Sequence, residues 1–126
     1  MNELVHDDAF LAASLAADEQ ELSVVITNPH VPGNPLIYVS EEFERQTGYS
    51  AEEVIGENCR FLQGPETNPD AIRMISAGLA AKTTFSVDIL NYHKSGEPFM
   101  NRLRIRPLFD DEGQLLYFIG AQNPVN

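Results

Sequence analysis

A thiol, a cation and two carboxamides lie within about one and a half helical turns in the segment Asn58-Cys-Arg-Phe-Leu-Gln63. Cys59 is the only cysteine of the chain. A lone cysteine is more often a small buried hydrophobe than a reactive group, although the neighbouring Arg60 could lower its pKa and make it a nucleophile. A cysteine hydrolase would also need a general base, and no histidine is placed by sequence to serve. Taken alone, the segment favours an inert core thiol.

Composition excludes several other kinds of site. One cysteine cannot form an internal disulfide, and the scattered His6, His30 and His93 lack the spacing of metal ligands, so we expect no metal. Nineteen acidic residues against eight basic ones give a formal net charge of −11, which argues against nucleic acid or an anionic membrane as a partner. Because the sequence has neither an apolar run of transmembrane length nor the pattern of a signal peptide, we predict a cytoplasmic protein.

Three carboxamides fall on the apolar faces of the last three predicted strands. Side chains alternate between the two faces of a strand, and each inward row contains one amide: Asn91, Asn101 or Gln122. A hairpin symmetric about Gly96 would place Asn91 opposite Asn101. Burying an amide without a partner costs about 1–3 kcal/mol. Pairing among protein groups would account for one such amide, whereas three that converge favour a planar ligand with a polar edge. Gly120 would let a ring lie close to the sheet.

The elements that must position these residues predict an α+β domain, with an antiparallel sheet and helices on one face. Apolar spacing and capping residues predict helices over 3–18, 40–47, from Ser50 and from Thr67, with an irregular helical turn over 56–64. Strands are predicted over 22–27, 36–39, 83–93, 98–108 and 114–123, the last three joined by hairpin turns. The expected organisation is an N-terminal helical cap over 1–21 and one domain over 22–126.

The outer face of the predicted sheet is mixed in character. Its apolar residues are Leu90, Tyr92, Leu115, Tyr117 and Ile119. An apolar outer sheet surface usually needs a cover, which the N-terminal helix or a second copy of the chain would supply. We therefore expect a homodimer or an intramolecular cap. Arg102, Arg104 and Arg106 also face outward, into solvent or toward Asp88.

The nonapeptide that begins at Gly56 and ends at Gly64 resembles the signature of LOV domains, the light-oxygen-voltage branch of the PAS superfamily. The resemblance extends over about residues 22–123, and the three amides stand where that family keeps its flavin-edge amides. It implies the PAS fold, a five-stranded antiparallel sheet with helices on one face, here with an extra N-terminal helix.

The resemblance also implies a blue-light photoreceptor that binds FMN non-covalently in the dark. Cys59 would be the photoactive thiol, whose sulfur bonds the C4a carbon of the flavin after light excitation while N5 gains a proton. The resulting adduct breaks in the dark. This chemistry needs a thiol close to the ring and no strong thiolate, so no general base is required.

By the same resemblance, each predicted site residue receives a role around the isoalloxazine ring. Asn91 and Asn101 would hydrogen-bond the pyrimidine edge. Gln122 would face O4 and N5, where its carboxamide could rotate and exchange acceptor for donor. The expected pocket walls are Val25, Thr27, Leu62, Leu103 and Gly120.

The tail of the flavin would contact a second set of residues. The resemblance assigns Asn58 and Gln63 to the ribityl chain and Arg60 to the phosphate, for which a charged fork is well suited. Many LOV domains have a second phosphate-binding arginine at the position of Ser76. Arg73 lies one turn earlier, where it is either a further phosphate contact or a solvated helix residue. FMN is the expected cofactor, with riboflavin and FAD as alternatives.

The chain resembles the short LOV proteins of bacteria. We expect this chain to signal through its last strand and its N-terminal helix to an unidentified downstream protein. A sensor fragment of a larger LOV protein, such as a histidine kinase, is one alternative. A flavin redox enzyme and a PAS interaction module without photochemistry are two others. A redox enzyme would need a hydride-donor site, and the sequence has no dinucleotide-binding fingerprint. We therefore predict a photosensory domain and not an enzyme.

Overall fold

The computed structural model describes Leu15 and residues 22–125. The elements in chain order are β1 (Ser23–Thr27), β2 (Leu36–Val39), α1 (Glu41–Thr47), α2 (Ala51–Val54), a 3₁₀ turn (Cys59–Leu62), α3 (Pro69–Ala81), β3 (Phe85–Tyr92), β4 (Pro98–Phe109) and β5 (Leu115–Val125). The strands form one antiparallel sheet of order β2-β1-β5-β4-β3. The predicted α+β fold with five antiparallel strands is therefore confirmed.

The predicted N-terminal helix over 3–18 lies outside the described residues, apart from Leu15. The division into a cap over 1–21 and a domain over 22–126 stays a prediction. Within the described part, Leu15 packs against an apolar cluster on the outer face of the sheet. The buried members of that outer cluster are Val24, Ile26, Ile37, Tyr117, Ile119 and Ala121. The expectation that the outer face needs a cover is thus met in part by Leu15.

Capping residues set the bounds of the helices as the sequence predicts. Ser40 accepts a hydrogen bond from the backbone N–H of Phe43 and begins α1, and Gly48 ends it in the left-handed conformation. Ser50 and Glu53 form a capping box at α2. At α3 the cap is Asn68, which precedes Pro69 at the first helical position.

The β3–β4 hairpin has a different register from the one predicted. Asn91 pairs with Phe99, and Asn101 pairs with Ile89, so the two amides do not lie directly opposite each other. The reason is the turn: Gly96, at φ 94°, occupies the left-handed position that closes a three-residue loop centred on Ser95. The slip is an even number of residues, so both amides stay on the inner face.

The outward-facing Arg102 pairs with Asp88, as one of the two predicted alternatives had it. Its Nε and Nη2 atoms donate to the two carboxylate oxygens at 2.9 and 3.0 Å. The pair lowers the pKa of Asp88, chiefly through the side-chain hydrogen bond. Because both side chains are exposed, we assign this pair little weight in stability.

Replacement of Phe43 tests the packing of the inner core, because Phe43 is fully buried where α1 meets β1 and β2. We expect Phe43→Ala to lower the free energy of unfolding by about 3–5 kcal/mol, through lost burial and the cavity left behind. Phe109→Ala is the matched control: Phe109 is 44% exposed, and its loss should cost about 0.5 kcal/mol or less. Urea unfolding of both variants measures the difference, and equal losses would contradict this packing.

Candidate functional site

A cavity lies between the inner face of the sheet and the segments that cover it. Strands β1, β3, β4 and β5 form one side, while the 3₁₀ turn and α3 form the other. The space inside it is about 730 Å³ when the mouth that opens to solvent is included. The fold therefore provides a cavity on the face where the sequence placed the amides.

All predicted site residues except Arg73 line this cavity. They are Val25, Thr27, Asn58, Cys59, Arg60, Leu62, Gln63, Asn91, Asn101, Leu103, Gly120 and Gln122. Arg73 lies outside it, is 70% exposed and forms an ion pair with Asp70 in the first turn of α3. Ser76 is also exposed and is not part of the lining. The structure thus favours the solvated alternative for Arg73.

Sequence reasoning did not assign six further lining residues to the site: Asn34, Ile75, Leu79, Ile89, Ile105 and Phe118. For five of them the sequence pattern carries a signal. Ile75 and Leu79 belong to the apolar stripe of α3, and the other three share strand faces with the amides. Asn34 lies in the turn-rich β1–β2 loop, where its residue type indicates only a turn.

The three amides meet at one point of the cavity wall. Asn101 Nδ2 donates to Asn91 Oδ1 at 2.9 Å and to Gln122 Oε1 at 3.1 Å. All three residues are buried, Asn101 to 1% exposure. The amides therefore do pair with one another, as the simpler of the two sequence-based alternatives has it. This pairing does not satisfy every polar atom, because Asn101 Oδ1 is buried and has no partner among the described residues.

Gly120 lets neighbouring side chains pack close to β5 beside these amides. A Cβ atom built there would lie 3.2 Å from Val25 Cγ2 and 3.5 Å from Leu103 Cδ1. Both neighbours line the cavity. Glycine thus lets the side chains of β1 and β4 close over β5 and form an apolar surface on which a planar ring can lie.

Cys59 begins the 3₁₀ turn on the opposite wall. Asn58 caps this turn: its Oδ1 accepts from the backbone N–H of Arg60 at 2.8 Å, and its Nδ2 donates to the carbonyl of Gly33 at 2.6 Å. Burial raises the pKa of the Cys59 thiol to about 12. Arg60 is exposed and does not offset this effect. The structure therefore favours a neutral thiol over one that Arg60 activates as a thiolate.

Leu15 and residues 22–125 contain no group of three or more His, Cys, Asp or Glu side chains that could hold a metal ion. Within the same part of the chain, every helix is too short or too polar to span a membrane.

Comparison with known proteins identifies the class. The family model of the PAS domain matches residues 21–123, and the chain belongs to that family. A structure from a study of a flavin analogue and the light-oxygen-voltage domain mechanism has a TM-score of 0.82 at 40% identity, and the match covers 94% of this chain and 83% of that one. The LOV domain of the Erythrobacter litoralis EL346 blue-light activated histidine kinase has a TM-score of 0.80 at 38% identity. That match covers 84% of this chain and 97% of that one.

Within the PAS family, this chain is a LOV domain, a sensor domain of the blue-light photoreceptor family. It is 48% identical over 107 residues to a blue-light-activated histidine kinase of Brucella anthropi. That match covers 85% of this chain and 22% of the kinase, so the chain spans about a fifth of the curated relative's length. The resemblance found in the nonapeptide around Cys59 is thereby confirmed.

The raised pKa of Cys59 predicts a pH dependence of stability. The folded chain keeps the thiol proton up to about 12, whereas the ordinary value is 9.0. Between these values the unfolded chain binds fewer protons than the folded one, so stability falls as pH rises. We expect the parent to lose about 2 kcal/mol more than Cys59→Ala between pH 8 and 10.5. Urea unfolding at both pH values measures this, and parallel losses in the two proteins would show an unperturbed thiol.

Proposed function

We propose that this LOV domain senses blue light by holding FMN in the cavity and by using Cys59 as the photoactive thiol. The observation that carries the proposal is that a half-buried thiol and a buried cluster of three amides line one cavity. The names of the relatives, a blue-light-activated histidine kinase and a LOV domain, support the same function.

The residues of the cavity fit a flavin. Asn91, Asn101 and Gln122 supply donors and acceptors of the kind that the pyrimidine edge of the ring needs. The free Oδ1 of Asn101 calls for a donor on that edge, since leaving it unpaired costs about 1–3 kcal/mol. Gly120 lets Val25 and Leu103 close over β5 as an apolar surface beside the amides. The donors and acceptors of the amides and this apolar surface together favour a planar heterocycle over a flexible ligand.

When bound, a flavin would supply blue-light absorption and a ring carbon, C4a, to which the Cys59 sulfur would bond reversibly, with the thiol proton going to N5. Cys59 is protonated at neutral pH, as an ordinary thiol is, and its pKa of about 12 extends this state to higher pH. The residue thus holds both the sulfur and the proton that the reaction consumes. Because Cys59 contributes the proton itself, the site needs no separate acid or base.

Gln122 connects the cavity to the rest of the sheet. Its Oε1 accepts from Asn101 Nδ2 in the structure. Rotation of the carboxamide would turn its own N–H groups toward that donor, and the bond between the two residues would be lost. Gln122 lies on β5, the central strand, and the preceding residue, Ala121, belongs to the outer cluster against which Leu15 packs. We propose that the light signal passes along this route to the N-terminal segment.

The remaining assignments concern the tail and the output. We propose that Asn58 and Gln63 contact the ribityl chain and that Arg60 pairs with the phosphate. Since Arg73 is paired with Asp70 outside the cavity, phosphate binding would depend on Arg60. We also propose a homodimer, and an output that is either an unidentified protein or a kinase like that of the curated relative. In each case this domain senses and does not catalyse.

Replacement of Cys59 tests the photochemistry. The parent should be yellow, lose its visible flavin bands under blue light and regain them in darkness. Cys59→Ala should keep the flavin, fluoresce more strongly and show no reversible bleaching, because the sulfur is gone. Absorption spectra before and after illumination measure both. Bleaching and recovery of the variant like the parent would contradict the assignment, and steady reduction by NADH in the dark would favour a redox enzyme.

Replacement of Gln122 tests the signal route. Gln122→Leu should still bleach reversibly, because Cys59 is intact, but the light-induced change in hydrogen exchange of the outer cluster should be lost or much reduced. Asn123→Leu is the matched control, since it removes the neighbouring exposed amide of the same strand. If the two variants respond alike, the Gln122 amide does not transmit the signal.

A further inference from the structure

Asn34 holds an unexplained polar group at the cavity. It lies in the loop between β1 and β2 and lines the cavity, and its side-chain Oδ1 is buried without a hydrogen-bond partner among the described residues. We infer that Asn34 is a further binding residue, whose Oδ1 accepts a hydrogen bond from a hydroxyl of the cofactor's polyol tail. The inference rests on the proposed flavin function and adds a determinant of tail recognition to it.

The backbone explains why asparagine is tolerated here, but not where its side chain lies. Asn34 has φ 48°, in the left-handed region that asparagine and glycine adopt most readily. Glycine would satisfy that requirement equally well. Asn28, in the same loop, is also buried, yet its Oδ1 accepts from the backbone N–H of His30 at 3.0 Å. Because the Asn34 oxygen has no such partner among the described residues, the contrast supports a bound ligand as its donor.

Hydrogen bonds hold Asn34 beside the residues assigned to the tail. The preceding carbonyl, that of Gly33, accepts from Asn58 Nδ2 at 2.6 Å. Two further bonds of 2.8 Å, Leu36 N–H to the Glu57 carbonyl and Gly56 N–H to the Leu36 carbonyl, join the loop to the same segment. The hydrogen bonds between this loop and the segment before the 3₁₀ turn therefore hold Asn34 close to Asn58 and Arg60.

The strand register separates Asn34 from the amide cluster. The loop follows Thr27, which pairs with Phe118, whereas Gln122 pairs with Ser23 at the other end of β1. The cavity lining thus has two buried oxygens that lack a donor, Asn34 Oδ1 and Asn101 Oδ1, and they belong to opposite ends of the sheet.

The chemistry of an oxidised flavin limits which donor can reach each oxygen. Its only donors are the imide N–H of the ring and the hydroxyls of the ribityl tail. The imide belongs with the amide cluster, so a tail hydroxyl remains for Asn34. A phosphate at neutral pH offers oxygens that accept, and these would repel a carboxamide oxygen. Asn34 should therefore distinguish flavins by their hydroxyls and not by their phosphate.

Three ligands and three variants of the full chain, freed of flavin, test this inference. Lumiflavin lacks the tail, riboflavin has the hydroxyls, and FMN adds the phosphate. Asn34→Gly keeps the backbone conformation and removes the oxygen, so it should weaken riboflavin and FMN by about 3- to 10-fold and leave lumiflavin unchanged. Asn34→Asp, which keeps an acceptor oxygen, should bind riboflavin like the parent. Arg60→Gln should weaken FMN alone. Quenching of flavin fluorescence gives the dissociation constants.

Each outcome decides between distinct accounts. Equal weakening of all three ligands by Asn34→Gly would mean that Asn34 acts through the shape of the loop, and an unchanged riboflavin affinity would mean that no hydroxyl bond exists. Either result overturns the inference while leaving the flavin proposal intact. If the parent binds none of the three flavins, the proposed function fails and the inference fails with it.

Discussion

The burial of carboxamides on the inner face of the sheet is the constraint on which the rest of the structure depends. A buried amide is costly unless it is satisfied, and Asn101 shares its two donor protons between Asn91 and Gln122 while its oxygen stays free. The sheet therefore has a polar point in an otherwise apolar wall. Gly120 lets Val25 and Leu103 pack closely over that wall, and the helical side covers it with a cavity in between.

The opposite wall contributes a thiol whose chemistry follows from the same burial. Burial raises the pKa of Cys59 to about 12, so the residue is a neutral thiol and a poor nucleophile, and in the proposed function it would contribute both the sulfur and the proton. On β5, in the sheet wall, Gln122 lines the cavity and Ala121 belongs to the outer cluster. One residue step along a central strand thus separates the cavity from the surface against which Leu15 packs.

Local chemistry made much of this predictable from sequence. Alternation along the strands placed the amides on one face, and the caps at Ser40 and Ser50 set the helices. The predicted register of the β3–β4 hairpin was wrong. The register depends on which turn residue takes the left-handed conformation, and Gly96 occupies the last position of the three-residue loop and not its centre. The placement of the Arg73 and Asn34 side chains depends on tertiary geometry, which the sequence pattern does not give. Arg73 forms an ion pair with Asp70, and Asn34 lines the cavity from a loop whose composition indicates only a turn.

The infrared absorption of the Cys59 S–H bond tests the central claim most directly, because the account requires a protonated thiol that light consumes. It predicts an S–H stretching band in the dark at neutral pH, its loss under blue light and its return in darkness, with no such band in Cys59→Ala. A dark state without the S–H band, or a band that persists unchanged through illumination and bleaching, would contradict the account.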